Sequence, residues 1–131
     1  MNKDKIDKAL REFTNALPEA PAWVILIKRD GELLSKVGEF SHIYRTRLDD
    51  NEVTQLTHQL GLYQQDTLDS LQHGNLQYGI HCGANGVYII VNLIDGYWLG
   101  ISYQRVGVKS FDTVIEGIFM HFQRILDAIY L

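Results

Sequence analysis

Two stretches of this chain, "AWVILIK" at 22–28 and "VYIIVNL" at 87–93, are apolar at almost every position over the length of a strand. A strand with one wet face alternates apolar and polar residues, so an unbroken apolar run calls for cover on both faces. This constrains the fold more than any other feature of the sequence. It requires a sheet with helices on each side. Asp30-Gly31 follows the first run and "ELLSKVG" (32–38) returns from it, the pattern of a hairpin. Asn85-Gly86 and Asp95-Gly96 likewise separate "LQYGIHC" (76–82), "VYIIVNL" (87–93) and "YWLGISY" (97–103). Short connections between five strands make the sheet antiparallel.

The helices follow from periodicity. Ile6, Leu10, Phe13 and Leu17 form a stripe over 3–17, with Asp4/Lys8, Asp7/Arg11 and Lys8/Glu12 on the solvated side. Pro18 and Pro21 end it. "DDNE" (49–52) opens a second helix, where acids suit the positive end of the helix dipole. Val53, Leu56, Leu60 and Tyr63 keep helical spacing, and His73-Gly74-Asn75 stops the run. Ser110 caps a closing helix whose stripe runs from Phe111 to Ile129. The expected fold is an α+β sandwich of order α-β-β-α-β-β-β-α over one domain, 1–131. The stretch 39–48, "EFSHIYRTRL", reads equally as strand or loop.

Composition narrows the function. At 131 residues and 46% hydrophobic content the chain can fill a core without staples. Cys82 is its one cysteine, which excludes an internal disulfide and points to the cytoplasm. No run reaches a membrane span, and the charged start "MNKDKIDKALREF" is no signal peptide. Between Arg47 and Arg105 there is no lysine or arginine, while six acids lie there. Phosphate neutralisation drives nucleic-acid binding, so nucleic acid is not the expected partner.

The search for chemistry is brief. His81 and Cys82 are neighbours in a strand and point to opposite faces, so they make no dyad; a small buried thiol beside a surface or interface histidine is the expectation. The five histidines show no ligand spacing, so no metal site is expected. Asp49–Glu52 lacks the alternating ligands of a calcium loop, and "GANG" (83–86) lacks the lysine of a phosphate loop. Asp95 reads as a turn residue, and Tyr97 and Trp98 as the two faces of a strand rather than the lip of a site. No catalytic residue and no cofactor is expected.

Two features point instead to an interface. Thr54, Gln55, Thr57, His58, Gln59, Gln64 and Gln65 form an uncharged polar set on the second helix, read here as its exposed side. The second strand carries Lys36 between Glu32 and Glu39, the charged blunting of a guarded edge, whereas the third strand carries no charge. If that third strand lies at an edge, it is open to pairing with another copy. The expected dimer or partner surface is Leu56, His58, Leu60, Tyr63, Leu76, Tyr78 and Ile80.

The element order, "AWVILIKRDGELLSKVG" (22–38), "GVYIIVNLIDGYWLGIS" (86–102) and the helix 110–130 resemble the Roadblock/dynein light-chain superfamily over nearly the whole chain. The resemblance implies a homodimer through the second helix and third strand, giving one extended sheet. It also implies a non-catalytic partner of a Ras-like small GTPase. Gly61-Leu62-Tyr63 and the glutamines depart from the alanine- and leucine-rich helix of many members. Two rivals are an acidic secretion-type chaperone, which places three strands before the second helix, and a GAF- or PAS-like ligand sensor, for which Gly79 and Gly100 would make room.

Overall fold

The computed structural model describes residues 2–38, 49–93, 96–104 and 110–131. The stretch 39–48 and Asp95 therefore lie outside the described residues. Helix α1 (Lys3–Ala16) starts where the Asn2 side chain accepts from the Lys5 amide, and it buries Ile6, Ala9, Leu10 and Phe13. Strands β1 (Trp23–Lys28) and β2 (Leu33–Gly38) follow. Gly31 in their turn has φ 96°, and the Asp30 carboxylate accepts from the Glu32 amide. Helix α2 (Asp50–Ser70) begins at Asp49, whose carboxylate caps the Glu52 amide at 2.8 Å. Strands β3 (Tyr78–Cys82), β4 (Gly86–Leu93) and β5 (Tyr97–Gln104) come next, then α3 (Phe111–His121) capped by Ser110, and α4 (Gln123–Tyr130).

The predicted order is present, with one difference. The closing helix divides at Phe122. There the Ile125 amide bonds the Phe122 carbonyl at 3.0 Å, three residues back, which tightens the turn. Helix α4 packs on α1 and buries Ile125, Leu126 and Ala128.

The sheet is antiparallel, in the order β2-β1-β5-β4-β3. Among the described residues, two strands precede α2 and three follow it; the stretch on which the secretion-chaperone rival turns lies outside them. One face presents Val24, Leu26, Val87, Ile89, Val91, Leu93, Leu99 and Ile101 to α1, α3 and α4. The opposite face carries Ile25, Ile27 and Trp98, covered by Val53 and the rest of α2. Both predicted rows of β5 are thus in place: Leu99, Ile101 and Tyr103 on the first face, Trp98 and Gly100 on the second.

The second face is already bulky before α2 arrives, and this decides what the helix can turn toward it. A Cβ placed on Gly61 would stand inside the Trp98 ring. The gap at Gly100 is filled by the Tyr88 hydroxyl, which bonds the buried Thr57 hydroxyl. The gap at Gly79 is filled by the Gln64 amide. The two glycines that a ligand sensor would need as cavity floor are therefore packed against side chains. Burial pushes the Tyr88 and Tyr103 hydroxyls well above the usual tyrosine range, so both stay protonated; Tyr103 donates to the Glu19 carbonyl at 3.1 Å.

Candidate interaction surface

Helix α2 has two unlike sides. Gly61, Thr57, Thr54 and Gln64 recur at three- and four-residue steps and form the side against the sheet. The threonine hydroxyls bond the helix's own carbonyls, Thr54 to Asp50 at 2.6 Å and Thr57 to Val53 at 2.8 Å, so they enter the interior satisfied. This corrects the reading of the uncharged polar set as an exposed face. Thr54 and Thr57 are buried, His58, Gln64 and Gln65 are half-buried, and Gln55 and Gln59 remain outside. The physical reason is steric: the large side chains come from the sheet, so the helix must supply small or self-satisfied ones.

The apolar stripe then falls on the other side. Leu56 is 53% exposed and Tyr63 72%, with Leu60 half-buried between them and Leu62 at 40% beside them. Exposed leucines one at a time are ordinary; a stripe of them along one helix is not.

Among the described strands, β3 lies at one edge of the sheet, where the interface reading needs it, and β2 at the other. On β2 the edge is guarded: Lys36 pairs with Asp50 at 2.9 Å. On β3 the hydrogen-bond parity can be read directly. The Asn92 amide donates to the Gln77 carbonyl at 2.9 Å and the Gly83 amide to the Gly86 carbonyl at 2.8 Å. Residues 77, 79, 81 and 83 therefore turn their backbone groups toward β4. Tyr78, Ile80 and Cys82 turn theirs to the open edge.

The helix and the edge are held together as one piece. The Gln65 side-chain Oε1 accepts from the Leu76 amide at 2.9 Å, and the Asn92 side-chain amide donates to the Leu76 carbonyl at 2.8 Å. Of the predicted surface residues, Leu56, Tyr63 and Tyr78 stand exposed, and Leu60 and Ile80 are half-buried. Two differ from expectation. Leu76 is 4% exposed, enclosed where the chain leaves α2, and presents no surface. His58 bends inward to the β1–β2 turn, bonding the Arg29 carbonyl beside Trp98. Cys82, expected to be buried, is exposed, and His81 is half-buried and bonded to Gln64.

The sequence reading missed Leu62 and the patch formed by Phe119 and Met120, whose edge meets Tyr78 at 5.6 Å between ring centroids. Gly61 was the available signal for α2. A glycine in mid-helix marks the side of closest approach, and counting from it places Leu56 and Tyr63 opposite. A surface cleft of about 970 Å³, lined by residues including Arg29, Gln77, Asn92 and Phe122, opens beside the β3 end of this surface. Among the described residues no helix is long and apolar enough to cross a membrane.

No family model matches the chain, and no curated protein does. Solved structures do. Myxococcus xanthus MglB aligns with a TM-score of 0.80 at 15% identity, over 98% of this chain and 90% of that one. A Roadblock/LC7 domain from Streptomyces avermitilis aligns at 0.75 and 12%, over 95% and 98%. The gliding protein MglB of Thermus thermophilus aligns at 0.69 and 13%, over 97% and 87%. The chain has a Roadblock-like fold.

Proposed function

We propose that this Roadblock-like chain is a homodimeric interaction module that binds a Ras-like small GTPase and regulates or tethers it. The observation that carries the dimer is the outward stripe of α2, Leu56, Leu60 and Tyr63, standing beside the unpaired edge of β3. Burying side chains of this size stabilises by roughly 1.5–3 kcal/mol each. Strand pairing adds main-chain hydrogen bonds and fixes direction. Two copies joined this way share one continuous sheet.

The GTPase half of the reading draws on the fold shared with MglB and the Roadblock/LC7 domain, and on the resemblance of 22–38 and 86–102. The chain's action would be positional. A dimer surface that binds one conformation of a switch loop better than the other shifts its population by that difference in affinity. Residues 53–65 of α2 and the whole of β3 carry no lysine, arginine, aspartate or glutamate, which suits a contact made without strong charge steering.

The test is affinity capture from native cytosol on the intact dimer, with parallel GDP and non-hydrolysable GTP loads. A Ras-like GTPase recovered with a preference for one nucleotide is the expected result. Recovery of secreted-effector polypeptides with no GTPase would overturn the reading in favour of the chaperone.

A further inference from the structure

We propose that the cleft beside β3 is a docking site for an extended acidic peptide segment of a partner protein, anchored by one aromatic or leucine side chain. The cleft is formed within a single chain, so the proposal stands apart from the dimer reading. Its lining offers two kinds of surface. Phe119 and Phe122 meet edge to face at 5.8 Å between ring centroids, and Tyr78 extends the aromatic row through Phe119. Phe119 and Tyr78 are exposed, so this row is open to a side chain arriving from outside. Asn75 and Gln77, also exposed, lie where the chain leaves α2. Their amides both donate and accept, which is what the main chain of an extended peptide requires.

Arg29 supplies the charge. Its backbone is held on both sides: the amide donates to the Gly96 carbonyl at 2.5 Å, and the carbonyl accepts from His58 Nε2. The guanidinium lies 6.0 Å from the centre of the Trp98 ring, within reach of its π face. Among the described residues, no carboxylate pairs with it. The acids of the same turn are engaged elsewhere: Asp30 caps the Glu32 amide, and Glu32 pairs with Lys28 at 3.1 Å. The described lining of the cleft has Arg29 as its one cation and contains no carboxylate. In a chain of net charge −4, this is a local site of the opposite sign, complementary to an incoming carboxylate.

Size favours a peptide over a compact ligand. The cleft measures about 970 Å³ and opens at the surface. That is the upper end of the range for small-molecule pockets, about 300–1,000 Å³.

The test titrates the full chain into labelled, acetylated hexapeptides in which one phenylalanine, tryptophan or leucine is flanked by aspartates. Fluorescence anisotropy reads binding, and light scattering on the same samples reads mass. At least one peptide should bind with a dissociation constant of about 0.1 mM or below. Asparagine in place of the peptide's aspartates, or Arg29→Gln in the chain, should weaken binding about tenfold or more. Arg29→Lys should keep part of the affinity, since it keeps the charge without the fork. Phe119→Ala should also weaken binding about tenfold. Lys28→Gln, which removes a cation already paired, should change it less than twofold. Arg29 and Phe119 are both exposed, and melting curves check that each variant keeps its fold. Binding by no peptide, binding that survives Arg29→Gln or Phe119→Ala, or displacement of the peptide by micromolar inorganic phosphate overturns the proposal. So does an affinity that falls as the mass rises from one chain to two, because a second copy then fills the cleft.

Discussion

Trp98 is the residue around which the second face of the sheet is organised. It is buried to 1% exposure, and Gly61 admits its ring to the helix. In an exposed helix, glycine to alanine stabilises by about 1 kcal/mol. Here Gly61→Ala should destabilise by about 1–3 kcal/mol, because the added methyl overpacks the ring. Urea denaturation checks the sign, and a stabilised variant would show that α2 does not rest on Trp98. Asp7 supports a second prediction. The Ser35 hydroxyl bonds its carboxylate at 2.6 Å and, with Lys3 assisting, holds its pKa below the usual value against the opposing effect of burial. A lowered folded-state pKa contributes stability above the unfolded value, about 3.9, that is lost as pH falls through the folded value. Asp7→Asn should therefore flatten the acid limb of the stability curve below about pH 4. A limb of unchanged slope would contradict the assignment.

At the scale of elements, what was legible in the sequence depended on whether a face was decided by composition or by its neighbour. The unbroken apolar runs of β1 and β4 required helices on both faces, and Asn2, Asp49 and Ser110 cap where helix starts were expected. The edge contrast between β2 and β3 was also legible, since charge on a strand records what the edge must avoid. The orientation of α2 was not. Its apolar stripe fits a core-facing side as well as an interface, and only the bulk of Trp98, Tyr88 and Ile25 across the gap settles which side turns inward. The burial of Leu76 and the inward turn of His58 depended on the same packing. Because Leu56 and Tyr63 point away from the sheet, Leu56→Lys with Tyr63→Lys should leave the monomer's thermal stability within about 0.5 kcal/mol while abolishing self-association. A large loss of folding stability would place those side chains in the monomer's own core. Their effect should show in sedimentation velocity, not in the melting curve.

At the scale of the whole molecule, the single chain has covered one face of its sheet with three helices and the other with one. Among the described residues, the outer side of α2, its flank at Leu62 and the edge strand β3 with Tyr78 make one exposed stretch. In the dimer proposed above, a second copy would cover this stretch with one two-fold operation, self-complementary by construction. The GTPase reading depends on that dimer, because the surface it assigns to the partner exists only once the two α2 helices lie side by side. The most direct test is therefore the molar mass of the purified chain at micromolar concentration, by multi-angle light scattering. The account predicts twice the 15.0 kDa chain mass, held on dilution until the dissociation constant is reached. A mass of 15.0 kDa across that range would contradict it.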